Sequence, residues 1–108
     1  MPTYEEALKA AGATVIRFEM FGEYQGDWIA EVEFNGVRGF VVGSYGSCGG
    51  CDGLEATDVD TEEKLAEFGA DYLKDGIMDK SMVIAHATQY DWKAEENKEK
   101  LEWINAQP

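Results

Sequence analysis

The sequence predicts an α+β domain: a three-stranded antiparallel meander, preceded by a short N-terminal helix and followed by helices packed on one face. Three observations carry this reading. Residues 14–21 and 27–34 alternate apolar and polar side chains, the period of a strand, and 37–43 returns alongside the second of them. Asn35-Gly36 separates the second run from the third and is the strongest short-range hairpin signal, because a type I′ turn needs positive φ at both central residues. After residue 60 the apolar spacing becomes helical, and acidic residues stand where helices would start.

The elements follow in order. Thr3 with Glu6 three residues later is a capping box that opens a helix from Tyr4 to about Ala11, which Gly12 ends. In the first strand Ile16, Phe18 and Met20 share one face, and Val15, Arg17 and Glu19 the other. Gly22 to Gly26 then reverses the chain. The second strand sets Trp28, Ala30, Val32 and Phe34 against Ile29, Glu31 and Glu33. A two-residue turn at Asn35-Gly36 fixes the register: Phe34 opposite Val37, Val32 opposite Gly39, Ala30 opposite Val41, Trp28 opposite Gly43. Gly39 has no side chain, which leaves space over Val32 for another element.

Asp60 with Glu63 marks the start of a helix to about Asp75, with Leu65, Phe68, Tyr72 and Leu73 on one stripe and Gly76 as its stop. Asp79 can cap a further helix carrying Met82, Val83, Ala85 and His86 on its apolar side. Asp91 can cap a last one, with Asn97, Leu101 and Ile104 in register and Trp103 at the edge. The 108 residues form a single domain, 1–108.

Net charge excludes more than it identifies. At −13, the chain is a poor partner for DNA, RNA or an anionic membrane. No apolar run comes near the roughly 20 residues of a membrane-spanning helix. The opening Met-Pro-Thr-Tyr-Glu-Glu has no basic segment followed by an apolar one, so the expected compartment is the cytoplasm. Five acids and no Lys or Arg lie from Glu19 to Glu33, and six acids with no base from Asp52 to Glu63. The expected acidic surface comprises Glu19, Glu23, Glu31, Glu33, Glu55 and Asp58. It repels phosphate and draws basic proteins. A nucleic-acid-binding protein is one such partner, since a dense row of carboxylates can imitate the charge of a duplex.

Both cysteines lie in Gly43-Ser44-Tyr45-Gly46-Ser47-Cys48-Gly49-Gly50-Cys51-Asp52-Gly53, where five of eleven residues are glycine. The Cys-x-x-Cys spacing admits several chemistries. Cys48 and Cys51 could give two thiolates to a zinc ion, but a closed site needs four ligands. His86 with a carboxylate, or a second chain in a homodimer, would have to complete it. A Cys-x-x-Cys oxidoreductase needs a thiol of lowered pKa. Asp52 and Glu55 act against that. Alternatively the cysteines pack as small apolar groups with no cofactor. The loop could also bind a polar ligand or a protein through Ser44, Tyr45, Ser47 and Asp52, with Trp28 and Tyr24 beside it.

No catalytic signature accompanies these residues, and an enzyme is not expected. Gly-x-Ser-x-Gly, HExxH and GxGxxG are absent. Asp58-Val59-Asp60-Thr61-Glu62 starts like a calcium loop but has Glu63 at the sixth position and Gly69 at the twelfth, where Gly and Glu are needed.

Gly26-Asp27-Trp28, the Asn35-Gly36 hairpin and Gly43 to Asp52 together resemble a set of small proteins from bacteriophages and their bacterial relatives. The likeness covers residues 22–58 well and the later helices only in general character. It brings no activity and no ligand residues with it. It implies a phage product in a bacterial cytoplasm, and by analogy one that binds host machinery.

Overall fold

The computed structural model describes residues 3–22, 26–46, 61–74 and 76–106. Helix α1 (Tyr4–Ala10) starts at Thr3, whose hydroxyl accepts from the Glu6 amide at 3.1 Å. Gly12 follows its C-cap with φ of 102°. Strands β1 (Thr14–Gly22), β2 (Gly26–Phe34) and β3 (Val37–Tyr45) form one antiparallel sheet in the order β1-β2-β3. The hairpin register is the expected one at all four pairs, from Phe34↔Val37 to Trp28↔Gly43. Asn35 and Gly36 both take positive φ, 52° and 79°, as a type I′ turn requires.

After β3 come α2 (Glu62–Leu73), α3 (Lys80–Ala87), a 3₁₀ turn at Asp91–Lys93 and α4 (Ala94–Asn105). The α+β class stands, but the helices cover two faces of the sheet rather than one. On one face Tyr4 and Leu8 of α1 and Leu65, Phe68, Tyr72 and Leu73 of α2 pack against Trp28, Ala30, Val32 and Val41. On the other, Val83 and Ala87 of α3 and Ile104 of α4 pack against Phe21, Ile29 and Phe40. Successive strand residues point to opposite faces, so a central strand that buries Trp28 and Ile29 alike must be covered twice.

The chain changes face at residues 77–78. Met78 exchanges two backbone hydrogen bonds with Phe40, at 2.7 and 2.8 Å, and so caps the edge of β3. Ile77 joins the first core and Met78 the second. Gly39 makes this crossing possible, since a Cβ there would collide with the Ile77 side chain and the Met78 carbonyl. The space expected over Val32 is thus filled by Ile77. A second close approach joins α1 to α2, where Gly69 lies against the Ala7 carbonyl.

Several local expectations change. A β-bulge between Val15 and Arg17 inserts Ile16 as an extra residue. Val15 therefore joins Phe18 in the first core, while Arg17 lands opposite Glu31. The cap of α2 is Thr61, one residue past Asp60, with its hydroxyl accepting from the Lys64 amide at 3.2 Å. Asp79 caps α3 as expected, accepting from the Met82 amide at 2.8 Å. Yet the buried side chains of α3 are Val83 and Ala87, leaving Met82, Ala85 and His86 exposed. This helix is apolar on most sides, so spacing alone could not choose the buried stripe. Asp91 opens the 3₁₀ turn, and α4 itself starts without a side-chain cap.

Candidate functional site

One end of the sheet gathers the features that recognition needs. There the ends of β1, β2 and β3 meet the 3₁₀ turn and the first turns of α4. A groove of about 790 Å³ is lined by Asp27, Tyr45, Trp92, Lys93 and the carboxylate-bearing Glu95, Glu96 and Glu99, with glycines of the strand ends as its floor. Among the described residues its lining thus carries four carboxylates and one ammonium. A second hollow of about 440 Å³ begins where this one ends, sharing Glu99 and adding Glu19, Glu102 and Trp103. The acidic face thus runs from the first turn of α4 across to β1.

The helix α4 is fixed to the sheet by two charged contacts. Lys100, only 4% exposed, places Nζ at 2.8 Å from Asp27 Oδ2. Arg17 lies with its guanidinium carbon 4.3 Å from the centre of the Trp103 ring and donates to the carbonyls of Trp103 and Ile104. Those carbonyls belong to the last turn of α4, where backbone donors run short; the Trp103 carbonyl accepts besides only from the Ala106 amide, at 3.3 Å. Arg17 Nε also donates to Glu31 Oε1 at 2.8 Å, and Arg38 holds Glu31 Oε2 at 2.9 Å. Burial pushes the Glu31 pKa up, but the hydrogen bonds and charges of Arg17 and Arg38 outweigh it and hold the carboxyl below its ordinary range.

Tyr45 stands at the groove with its hydroxyl donating to the Phe21 carbonyl at 2.8 Å. Burial, and then the negative charges of Glu96 and Asp27, raise its pKa, so the phenol keeps its proton. On the rim, Trp92 is 78% exposed and Tyr90 50%. Their ring centres lie 6.0 Å apart.

The structure divides the residues expected from sequence. Tyr45 lines the groove, and Ser44 is exposed on β3 beside it. Glu19 and Glu33 are exposed as expected. Glu31 is not part of the acidic surface: at 6% exposure it is the shared anion of two arginines. The correction follows from the strand order, since Arg17 and Arg38 flank it from β1 and β3 although no base is near it in β2. Trp28 is not at the recognition patch either. It is wholly buried, stacked with Phe18 and edge-on to Tyr72 over the bare backbone of Gly43. Tyr24, Ser47, Asp52, Cys48, Cys51, Glu23, Glu55 and Asp58 lie outside the described residues. Among the described residues no group of three His, Cys, Asp or Glu is placed to hold a metal ion.

Sequence reasoning passed over Trp92, Tyr90 and Lys93. Their signal was position: two aromatics in a polar break between helices, off any apolar stripe. Lys100 also carried a signal of position, since it falls one turn before Ile104 and four residues are about one helical repeat. No family model, characterised protein or solved structure matches the chain. Among the described residues no helix is long and apolar enough to cross a membrane.

Proposed function

We propose that this is a small acidic interaction protein that takes a basic segment of a protein partner into the groove at the end of its sheet. The observation that carries the reading is Trp92. A tryptophan left 78% exposed at the edge of a groove with four carboxylates offers both an apolar anchor and a field that attracts cations. The chain's net charge of −13 extends that field over the whole molecule. A partner that itself binds nucleic acid meets these requirements, because a surface built for phosphates also accepts carboxylates. The resemblance to phage proteins makes a bacterial host protein the natural source of such a partner. Nothing in this reading requires a catalytic residue, a metal or a bound cofactor.

The test is a titration with an oligoarginine peptide at low and high salt, alongside duplex DNA as a negative control. Binding to the peptide should weaken steeply with salt and fall further in a Glu95→Lys, Glu99→Lys variant. Binding that ignored both salt and these substitutions would overturn the groove as the interface. Equal binding to the DNA would overturn the class of partner.

A further inference from the structure

The groove reading says that a cation enters; the rim shows where one already sits. Lys93 Nζ lies 5.1 Å from the centre of the Trp92 ring and 5.6 Å from that of Tyr90. Among the described residues the carboxylate paired with it is Glu96, whose Oε2 is 3.7 Å away, too far for a hydrogen bond. Two aromatic faces and a carboxylate thus surround the chain's own ammonium, but hold it loosely, near the outer limit of cation–π range. Resting on the proposed function, we propose that the Tyr90–Trp92 pair is the recognition site for an arginine side chain of the partner, and that Lys93 is the internal occupant this arginine displaces.

An arginine is the better guest for a physical reason. Its guanidinium is flat, so it can stack on an indole while its N–H fork engages a carboxylate, whereas an ammonium has no plane to stack. The same fold already contains such an arrangement. Arg17 lies 4.3 Å from the Trp103 ring centre while its Nε holds Glu31 at 2.8 Å. At the rim, Trp92 stands in for Trp103 and Glu96 for Glu31, with the guanidinium to be supplied from outside. Lys93 holds the cation position beside the two rings in the free protein, although the rings themselves stay open to solvent, and an incoming cation must compete with it.

The experiment is calorimetric titration of the full chain with oligoarginine and with oligolysine of equal length. Lys93→Ala removes the competing ammonium from the rings and should tighten oligoarginine binding about threefold. Lys98→Ala removes the same charge from an exposed site on α4 and should give a smaller gain. Trp92→Ala should weaken binding about threefold, and in that background Lys93→Ala should gain no more than Lys98→Ala does. Equal gains from Lys93→Ala and Lys98→Ala with Trp92 in place would overturn the displaced-lysine site while leaving the acidic groove standing. Oligolysine binding as tightly as oligoarginine would do the same. Absence of oligoarginine binding to every variant at low salt would overturn both readings. Thermal unfolding of each variant confirms that the fold is intact, since Trp92 and Lys98 are exposed.

Discussion

Lys100 of the last helix and Asp27 of the central strand form an ion pair of 2.8 Å whose two partners are unequally buried. The lysine side chain is 4% exposed and the aspartate 27%. Removing either partner leaves the other, and the cost depends on which one is stranded away from water. Asp27→Ala leaves an enclosed ammonium and should destabilise by about 3 kcal/mol. Lys100→Met replaces the stem with an apolar one of similar shape and leaves Asp27 beside solvent, so its cost should be about 1 kcal/mol. Urea unfolding of the two variants checks the order. The reverse order would mean that Asp27 rather than Lys100 is the group cut off from water.

The Glu31 carboxylate gives the fold an acid-sensitive joint. Its pKa is lowered in the folded state by Arg17 and Arg38. A depressed carboxyl contributes stability above its unfolded pKa and loses it as pH falls through the folded one. Glu31→Gln keeps the shape but leaves the part-buried Arg17 without its anion, and should cost about 3 kcal/mol near pH 7. That gap should narrow as pH falls below the ordinary carboxyl value of 4.5, where the unfolded wild type takes up a proton at Glu31 and the Gln variant cannot. Urea midpoints of both proteins across this range provide the measurement. A gap that did not change with pH would show that packing, not charge, holds Glu31 in place.

The parts of this fold that were legible in the sequence are those set by local chemistry. Asn35-Gly36 fixes two φ angles, and a two-residue turn then determines every pair of the hairpin down to Trp28↔Gly43. Thr3 and Asp79 cap the helices they precede because the cap bond spans only three residues. What could not be read depends on neighbours distant in the chain. The run from Glu19 to Glu33 looks uncompensated, yet Arg17 and Arg38 come alongside Glu31 once the strands pair. The bulge at Ile16 brings Val15 onto the face that Phe18 shares with Trp28, and no residue type announces it. Glu31 looked like part of a solvated surface because a buried carboxylate and a solvated one are written with the same letter. At the site, Tyr45 was legible from its place in the register, whereas Trp28, expected beside the loop, is core, and Trp92, which carried no expectation, is the exposed ring.

Gly43 should be among the least replaceable residues of the sheet. A Cβ there would fall within the indole of Trp28, which is fully buried and held by Phe18, Tyr4 and Tyr72. A ring packed on three sides cannot move aside cheaply, so Gly43→Ala should cost about 2 kcal/mol. Gly36 offers the contrast. Its Cβ would meet nothing within 4 Å, and only the strain of φ at +79° opposes a side chain. Gly36→Ala should therefore cost about 1 kcal/mol. Chemical denaturation of the pair measures the difference between overpacking and backbone strain. Equal costs would mean that the indole can shift, and would loosen the argument that Gly43 seats Trp28.

The three tryptophans differ enough in exposure to report on the groove directly. Trp28 is sealed in the core, Trp103 is half-buried under Arg17, and Trp92 is 78% exposed. A solute in water should therefore quench Trp92 first. The charge of the solute then reads the local field, because carboxylates concentrate cations and exclude anions near them. Caesium should quench the accessible fraction more strongly than iodide at low ionic strength, and added salt should bring the two together as the field is screened. Trp92→Ala should remove most of that fraction while changing stability by less than about 0.5 kcal/mol, as expected of an exposed side chain. Stronger quenching by iodide would place Trp92 under the control of Lys93 rather than of Glu95, Glu96 and Glu99. The acidic groove would then lose its role in drawing a basic partner.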